Sequence, residues 1–396
     1  MKITDIELLK VPPSWVWVRI HTDAGLTGLG EPYLENHPGP VIAEVERLTP
    51  LLIDEDPTRP EALWQKLYHS GLGYVGGPVK MSALSGIDIA LWDLAGKAAG
   101  LPVYKLLGGP VRTRVKMYRA TGGSLPWCVA PGEPYRAGRA PACDLVPGSP
   151  QAFAEAARLL VHEWGFRALK VHFGPGDGLE ATRQVDAISE RFAAVREGAG
   201  PGVDVAVDIH NPHPAVAKQL IAGLEPHRPL FVEEPMPVER VGALLDIART
   251  ARVPIAAGER WVGKWVFHDA LAEGTLSVLQ PDICHAGGIT ECRKIAAIGE
   301  ATHAKLALHC PLSPLALAAS LQLDAAVPNF LVQEHNEVND WREGSRTMIG
   351  KGYFREPFVL DTDGCVAVPN RPGLGIELDE TGMDGIMARP WSPLRG

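Results

Sequence analysis

The sequence predicts an α/β protein: a parallel β/α barrel preceded by a smaller α+β unit, with a tail that returns to that unit. Three observations carry the prediction. The chain has 396 residues, 46% of them hydrophobic and 21% charged, enough for a large core and a companion domain. Beyond residue 113, eight short apolar runs alternate with helical segments, the pattern of βαβ units. Three successive runs end in a carboxylate, 25 and 26 residues apart. The expected division is 1–113 for the α+β capping unit, 114–340 for the barrel and 341–396 for the returning segment.

Residues 1–35 read as strands: "ITDIELLKV", "WVWVRIHTDAG" and "LTGLGEP" alternate and are punctuated by glycine turns. "AGLTGLGE" has the look of a nucleotide-binding loop, but no helix follows, so it reads as a hairpin. From Met81, Leu84, Ile87, Leu91 and Leu94 share a helical face, and Gly100 with Pro102 ends the helix.

The barrel runs are 115–118, 168–172, 203–210, 230–234, 253–259, 276–282, 305–309 and 329–334. Between the first two, Ser149 is an N-cap candidate, Pro150 fits the first turn, and Phe153, Ala157 and Leu160 share a face up to Gly165. The Pro-rich stretch 125–150 follows the first run, so it is expected as a long loop on the barrel's carboxyl-terminal face. "LDTDGCVAV" predicts a hairpin in the tail.

Composition narrows the function classes. The formal net charge is −9 without any basic block, which argues against nucleic acid or an acidic membrane as partner. "MKITDIELLKVPPSW" has no apolar signal core, and no run of roughly 18 apolar residues occurs. A cytoplasmic protein is expected. The cysteines at 128, 143, 284, 292, 310 and 365 are scattered and read as small core residues rather than a disulfide framework or zinc site.

The stretch "RPLFVEEP" poses the chemical question, since a buried run ends in two adjacent acids. Asp208, Glu233 and Glu259 close successive runs, so consecutive strands would set three carboxylates around one mouth. Such acids repel, and a hard cation relieves them; oxygen-only ligands favour Mg²⁺ or Mn²⁺ over zinc. Separate helix caps or surface ion pairs are the alternative, which the regular repeat disfavours. Strand alternation turns Glu234 away from Glu233, toward a cation or backbone donor. The same alternation pairs Lys170 with His172 and Asp208 with His210 on one face. Across the mouth, Asp282 and His309 end adjacent runs and can form a base dyad. His285 is the rival for His309, and Glu334 is a candidate substrate contact.

These residues, with "MSALSGIDIALWDLAGK", "QPDICHAGGITECRKIA" and "HCPLSPLALAASLQLDA", resemble the mandelate racemase-like acid-sugar dehydratases of the enolase superfamily, galactonate-type enzymes above all. The resemblance implies a modified (β/α)7β barrel and one Mg²⁺ per subunit on Asp208, Glu233 and Glu259. It implies that His309 with Asp282 removes the proton α to a carboxylate, and that His210 protonates the departing 3-hydroxyl to give a 2-keto-3-deoxy acid. Glu334 would contact the substrate carboxylate and Lys170 would polarise it. The partner implied is a small sugar acid, with a homo-oligomer between dimer and octamer.

Three departures from that pattern bear on the substrate. "LGYVGGPVK" has Tyr74 and Val75 where many members carry an Arg, His172 stands where racemases often have Lys, and the 125–150 loop is long. Arg136 or Arg139 could replace the missing cation. Two other readings stay open: a racemase or epimerase with Lys170 or His172 opposite His309, and a barrel that binds metal without turnover.

Overall fold

The computed structural model describes residues 1–121, 148–172, 181–210, 214–272 and 276–394. Most of the 125–150 loop, with Arg136 and Arg139, lies outside the described residues. Strands β1 (Ile3–Val11), β2 (Trp15–Thr22) and β3 (Thr27–Gly30) form an antiparallel sheet, β2 and β3 as the expected hairpin. Against it lie α1 (Pro38–Leu48), α2 (Pro60–Tyr68) and α3 (Pro78–Ala99), followed by the short α4 (Val103–Leu106). Helix α3 starts at Pro78, ahead of the expected Met81, because proline is preorganised for the first turn. It ends at Gly100, whose φ of 66° supplies the left-handed cap. Every residue from Lys80 to Gly96 is buried, so α3 is enclosed on all sides rather than lying on a surface.

Eight parallel strands make the barrel: β4 (Arg114–Thr121), β5 (Ala168–His172), β6 (Asp204–Asp208), β7 (Val232–Glu233), β8 (Ile255–Ala257), β9 (Val278–Leu279), β10 (Lys305–Leu306) and β11 (Gln333–His335). β11 pairs with β4, and a parallel bridge from Leu306 to Phe330 closes the ring. Helices α5 (Pro150–His162), α6 (Ala181–Ala199), α7 (Ala217–Leu224), α8 (Val241–Ala248), α9 (Lys264–Ala272), α10 (Gly288–Ala301) and α11 (Pro314–Ala326) stand between successive strands. β11 leads instead into β12 (Asp340–Glu343), so the architecture is (β/α)7β. In α5 the Ser149 hydroxyl accepts from the Ala152 amide, as the capping signal requires.

The tail adds β13 (Arg346–Ile349) and β14 (Phe358–Val359) beside β12, then β15 (Cys365–Ala367), which pairs antiparallel with β4, and α12 (Glu380–Met387). The Trp391 indole N–H donates to the Trp15 carbonyl at 2.9 Å. The tail therefore touches both the first sheet and the barrel. No described helix is long and apolar enough to cross a membrane.

The barrel interior is a packed layer of one residue per strand: Tyr118, Ala168, Ala206, Phe231, Ala256, Val278, Ala307 and Val332. Two aromatics fill what four alanines leave open, so this is a core and not a pore. Strand alternation then sets the next layer. Two residues on from Ala168, Ala206, Phe231, Val278, Ala307 and Val332 stand Lys170, Asp208, Glu233, Gln280, His309 and Glu334. All six are buried at the carboxyl-terminal mouth.

The capping unit is clasped to this mouth by buried polar contacts. The Trp64 indole N–H donates to the Gly287 carbonyl at 2.8 Å, the Trp92 N–H to Thr290 Oγ1 at 2.8 Å, and the Trp17 N–H to Ser313 Oγ at 2.9 Å. Asp88 accepts from the Thr290 amide at 2.9 Å and its hydroxyl at 2.6 Å, in the first turn of α10. Gly288 makes room, since a β-carbon there would lie 2.4 Å from Asp88 Oδ2. Glu31 caps α11 similarly, accepting from the Ser313 hydroxyl and amide and from the Ala316 amide.

Candidate active site

Asp208 ends β6, Glu233 ends β7, and Glu259 lies two residues beyond β8. Alternation alone would not deliver Glu259, which is three residues from the inward Ala256. Gly258 supplies the missing turn with φ of 136°, a conformation in which its place against Phe267 also excludes a side chain. The three carboxylates are buried, and one oxygen from each lies within 4.8 Å of the others. Asp208 Oδ1 and Glu259 Oε2 have no hydrogen bond among the described residues.

Lys170 is the cation of this cluster. Its ammonium sits 2.9 Å from Glu233 Oε2, 3.0 Å from Glu334 Oε1 and 3.8 Å from Asp208 Oδ2. Burial pulls the ammonium toward its neutral form, but Glu233 and Glu334 outweigh that and hold its pKa well above the usual lysine range. Burial pushes the Glu233 carboxyl well upward; Lys170 opposes the shift, and Asp208 and Glu259 add to it. One lysine thus faces three acids that cannot all be comfortably ionised. The all-oxygen donor set and its orphaned oxygens fit a hard divalent cation.

Across the mouth, His309 Nδ1 lies 2.8 Å from Asp282 Oδ2, and the two residues form a parallel bridge. Asp282 Oδ1 accepts from the Cys284 amide at 2.7 Å, which fixes the carboxylate. With Nδ1–H donated to Asp282, His309 Nε2 is the nitrogen left to exchange a proton, 3.4 Å from Glu259 Oε2. Burial lowers the His309 pKa, but Glu259, the Asp282 hydrogen bond and Glu334 together hold it well above the ordinary imidazole value. His285 stands 3.7 Å from the same Asp282 oxygen, so His309 and not its rival makes the close pair.

His210 lies just past β6, its Nε2 3.0 Å from Glu259 Oε1 and its Nδ1 3.3 Å from His172 Nε2. Its φ of 42° means that a bend in the chain, not strand alternation, turns it to the mouth. Glu334 Oε2 accepts from the Cys310 amide at 3.0 Å. Every residue singled out in the sequence as a site candidate among the described residues is therefore at or against this mouth.

Glu234 corrects an expectation. Alternation would face it away from Glu233, but its φ of 42° breaks the alternation and brings its carboxylate within 4.8 Å of ligand atoms on His210 and Glu259. It does pair with a cation, the Arg260 guanidinium. Sequence reasoning also missed Gln280, whose amide donates to Glu233 Oε2 at 2.7 Å; its place two residues before Asp282 was the available signal.

A cavity of about 540 Å³ opens above these groups, lined by His210, Glu259, Arg260, His285 and His309 below and by Leu34, Glu35, His37, Pro78 and Val79 from the capping unit above. Tyr74 and Val75 of the capping unit are exposed, Tyr74 by 90%. Among the described lining residues, the guanidinium is that of Arg260, from the barrel.

Comparison with known proteins places this arrangement. Residues 152–382 match the Enolase C-terminal domain-like family, and residues 11–108 match the Mandelate racemase / muconate lactonizing enzyme, N-terminal domain. D-galactonate dehydratase of Pectobacterium atrosepticum is 40% identical over 96% of this chain and 93% of its own length. The D-galactonate dehydratase of Variovorax paradoxus is 41% identical over the same shares. Among solved structures, a mandelate racemase/muconate lactonizing enzyme from Jannaschia sp. CCS1 superposes with a TM-score of 0.82, at 30% identity and 98% coverage of both chains. A member of the enolase superfamily from Salmonella Typhimurium gives 0.81, at 31% identity and 97% coverage of both. The chain belongs to the mandelate racemase-like family of the enolase superfamily.

Proposed function

We propose that this protein is a Mg²⁺-dependent sugar-acid dehydratase, a carbon–oxygen lyase acting on an aldonate of galactonate type. The observation that carries the reading is the opposition, across one mouth, of a carboxylate cluster that fits a divalent cation and an imidazole base held by Asp282. Full-length similarity to curated D-galactonate dehydratases supports it.

Asp208, Glu233 and Glu259 would hold the cation, which when bound supplies charge neutralisation at the substrate carboxylate. Lys170, already ionised between Glu233 and Glu334, adds a donor for the same carboxylate. His309 Nε2 takes the proton α to that carboxylate, and Asp282 stabilises the imidazolium that results. His210 gives a proton to the 3-hydroxyl as the C3–O bond breaks, so the group leaves as water. The enol that remains tautomerises to a 2-keto-3-deoxy acid.

The dehydratase reading is favoured over racemisation because racemisation needs no acid at His210. Proton NMR in D₂O with Mg²⁺, on galactonate and a panel of related acids, tests this. The expected result is loss of the α-proton signal with formation of a 3-deoxy product, and α-exchange without elimination in His210→Asn. Deuteration without elimination in the wild type would establish the racemase; no exchange with any acid, alongside metal binding, would point to the inactive barrel. The same reading implies a cytoplasmic homo-oligomer, whose size light scattering would give.

A further inference from the structure

His285, which loses the close contact with Asp282 to His309, has no part in the chemistry above, yet it is built into the mouth. Its side chain is 7% exposed, lines the cavity beside His309, and holds its ring centroid 6.2 Å from the His309 ring. The turn that carries it is fixed on both sides. The Asp282 carbonyl accepts from the His285 amide at 3.0 Å and the Ala286 amide at 2.8 Å, the Ala286 carbonyl accepts from the Gly263 amide at 3.0 Å, and the Gly287 amide donates to Ser85 Oγ at 2.9 Å. The imidazole is thus presented on a rigid element.

Neither ring nitrogen is satisfied. Nε2 is buried without a hydrogen bond among the described residues, and Nδ1 stands 3.7 Å from Asp282 Oδ2, beyond hydrogen-bond range. A buried polar atom in this state costs stability, so an imidazole kept so at a cavity wall points to a partner that arrives with the ligand.

The contacts around the mouth say which part of the substrate His285 meets. From the cation ligands they run in order: Glu259 to His309 at 3.4 Å, His309 to Asp282 at 2.8 Å, Asp282 to His285 at 3.7 Å. Among the described residues Asp282 is the one carboxylate in ion-pair range of His285, whereas His309 reaches both Asp282 and a cation ligand. A sugar acid with its carboxylate at the cation and its α-proton at His309 therefore has its later carbons beside His285. Those carbons carry hydroxyls, which both donate and accept, so they suit an imidazole nitrogen with or without its proton.

Resting on the dehydratase reading above, we propose that His285 is a substrate-binding residue whose imidazole hydrogen-bonds a hydroxyl of the sugar acid beyond C3. It is not a second base. It holds the substrate chain so that C2 stays against His309, and it disfavours acids that lack that hydroxyl.

Steady-state kinetics of the Mg²⁺-loaded protein test this, on its best sugar acid and on analogues that each lack one hydroxyl beyond C3. His285→Phe keeps a ring and removes both nitrogens. Its KM should rise about tenfold, the worth of one hydrogen bond lost, with kcat changed less than about threefold. Its melting temperature should hold or rise, because no unsatisfied nitrogen remains. His285→Asn and His285→Gln put an amide near Nδ1 and near Nε2 respectively, so one of them should keep KM within about threefold of the wild type and the other should not. One deoxy analogue should raise the wild-type KM as His285→Phe does and raise that of His285→Phe no further, which identifies the hydroxyl. If His285→Phe does not fold, the difference between His285→Asn and His285→Gln decides.

Four results would overturn the proposal: an unchanged KM in folded His285→Phe, a kcat loss of about a hundredfold or more, which marks a second base, Asn and Gln variants that behave alike, or deoxy analogues whose losses all add to that of His285→Phe. A wild type inert toward every sugar acid overturns the dehydratase reading and this proposal with it. Turnover by the wild type with indifferent variants overturns this proposal alone.

Discussion

The acids of the barrel mouth and the acids of the capping-unit clasp are equally buried but are satisfied in opposite ways. At the mouth, Asp208, Glu233 and Glu259 crowd within 4.8 Å, lie around one lysine, and leave oxygens without hydrogen bonds among the described residues. In the clasp, Asp88 and Glu31 stand apart, and each accepts from the amide and hydroxyl donors of a helix N-terminus. A structural acid is buried where donors already wait for it; a ligand-binding acid is buried where they do not. The difference predicts how each set responds when it is disturbed.

The largest effect should come from the base opposite the mouth. His309→Asn should slow α-proton exchange by about 10⁴-fold, the upper range for general-base catalysis, while circular dichroism shows an intact fold. A loss under tenfold would sink the assignment of His309. Metal removal comes next. Mg²⁺ at a hundredfold over its Kd should stabilise the wild type by about 2.7 kcal/mol, and Asp208→Asn should abolish most of that gain. In the metal-free protein the same substitution should raise the melting temperature, because it relieves repulsion. A metal-free Asp208→Asn that melts well below the wild type would mean that the mouth acids are structural like those of the clasp.

The two regions were also unequally legible in the sequence. The mouth could be read because strand alternation and the β/α repeat are periodic: Lys170, Asp208, Glu233, His309 and Glu334 all follow from the inward layer beneath them. Glu234 was misplaced because a single left-handed residue cancels the alternation. His210 was placed rightly by an argument that the bend at its own φ supersedes. Arg260 was missed because nothing in the spacing says that its partner turns inward. The clasp has no period at all, since Asp88 and Thr290 meet across 202 residues. Its traces were Gly287 and Gly288 in "HAGG", which let α10 approach α3, but a glycine pair does not name its partner.

Breaking the clasp should cost stability before chemistry. Asp88→Ala would remove the acceptor for the Thr290 amide and hydroxyl in a buried interface, costing about 1–3 kcal/mol. Urea unfolding measures it. The sharpened comparison is the sign: neutralising a mouth acid stabilises the metal-free protein, whereas removing a clasp acid destabilises it. A stabilised Asp88→Ala would erase the distinction.

The smallest expected effect is a pH dependence that belongs to the clasp. Burial raises the Asp88 carboxyl to about 7 and the Glu31 carboxyl to about 8, more than the hydrogen bonds from Thr290 and Ser313 lower them. The unfolded chain releases the same protons near pH 4. Between those limits the folded state holds more protons than the unfolded state, so this contribution to stability is greatest below about pH 4, falls as pH rises and levels off above about 8. The helix N-termini favour the anions and oppose this change. With the mouth saturated by Mg²⁺, the difference in melting temperature between wild type and Asp88→Asn isolates the Asp88 share of it. That difference should move against the wild type from pH 5 to pH 7.5. A difference that stays flat or moves toward the wild type would mean that Asp88 is ionised in the fold throughout, held by the α10 N-terminus more strongly than burial opposes it.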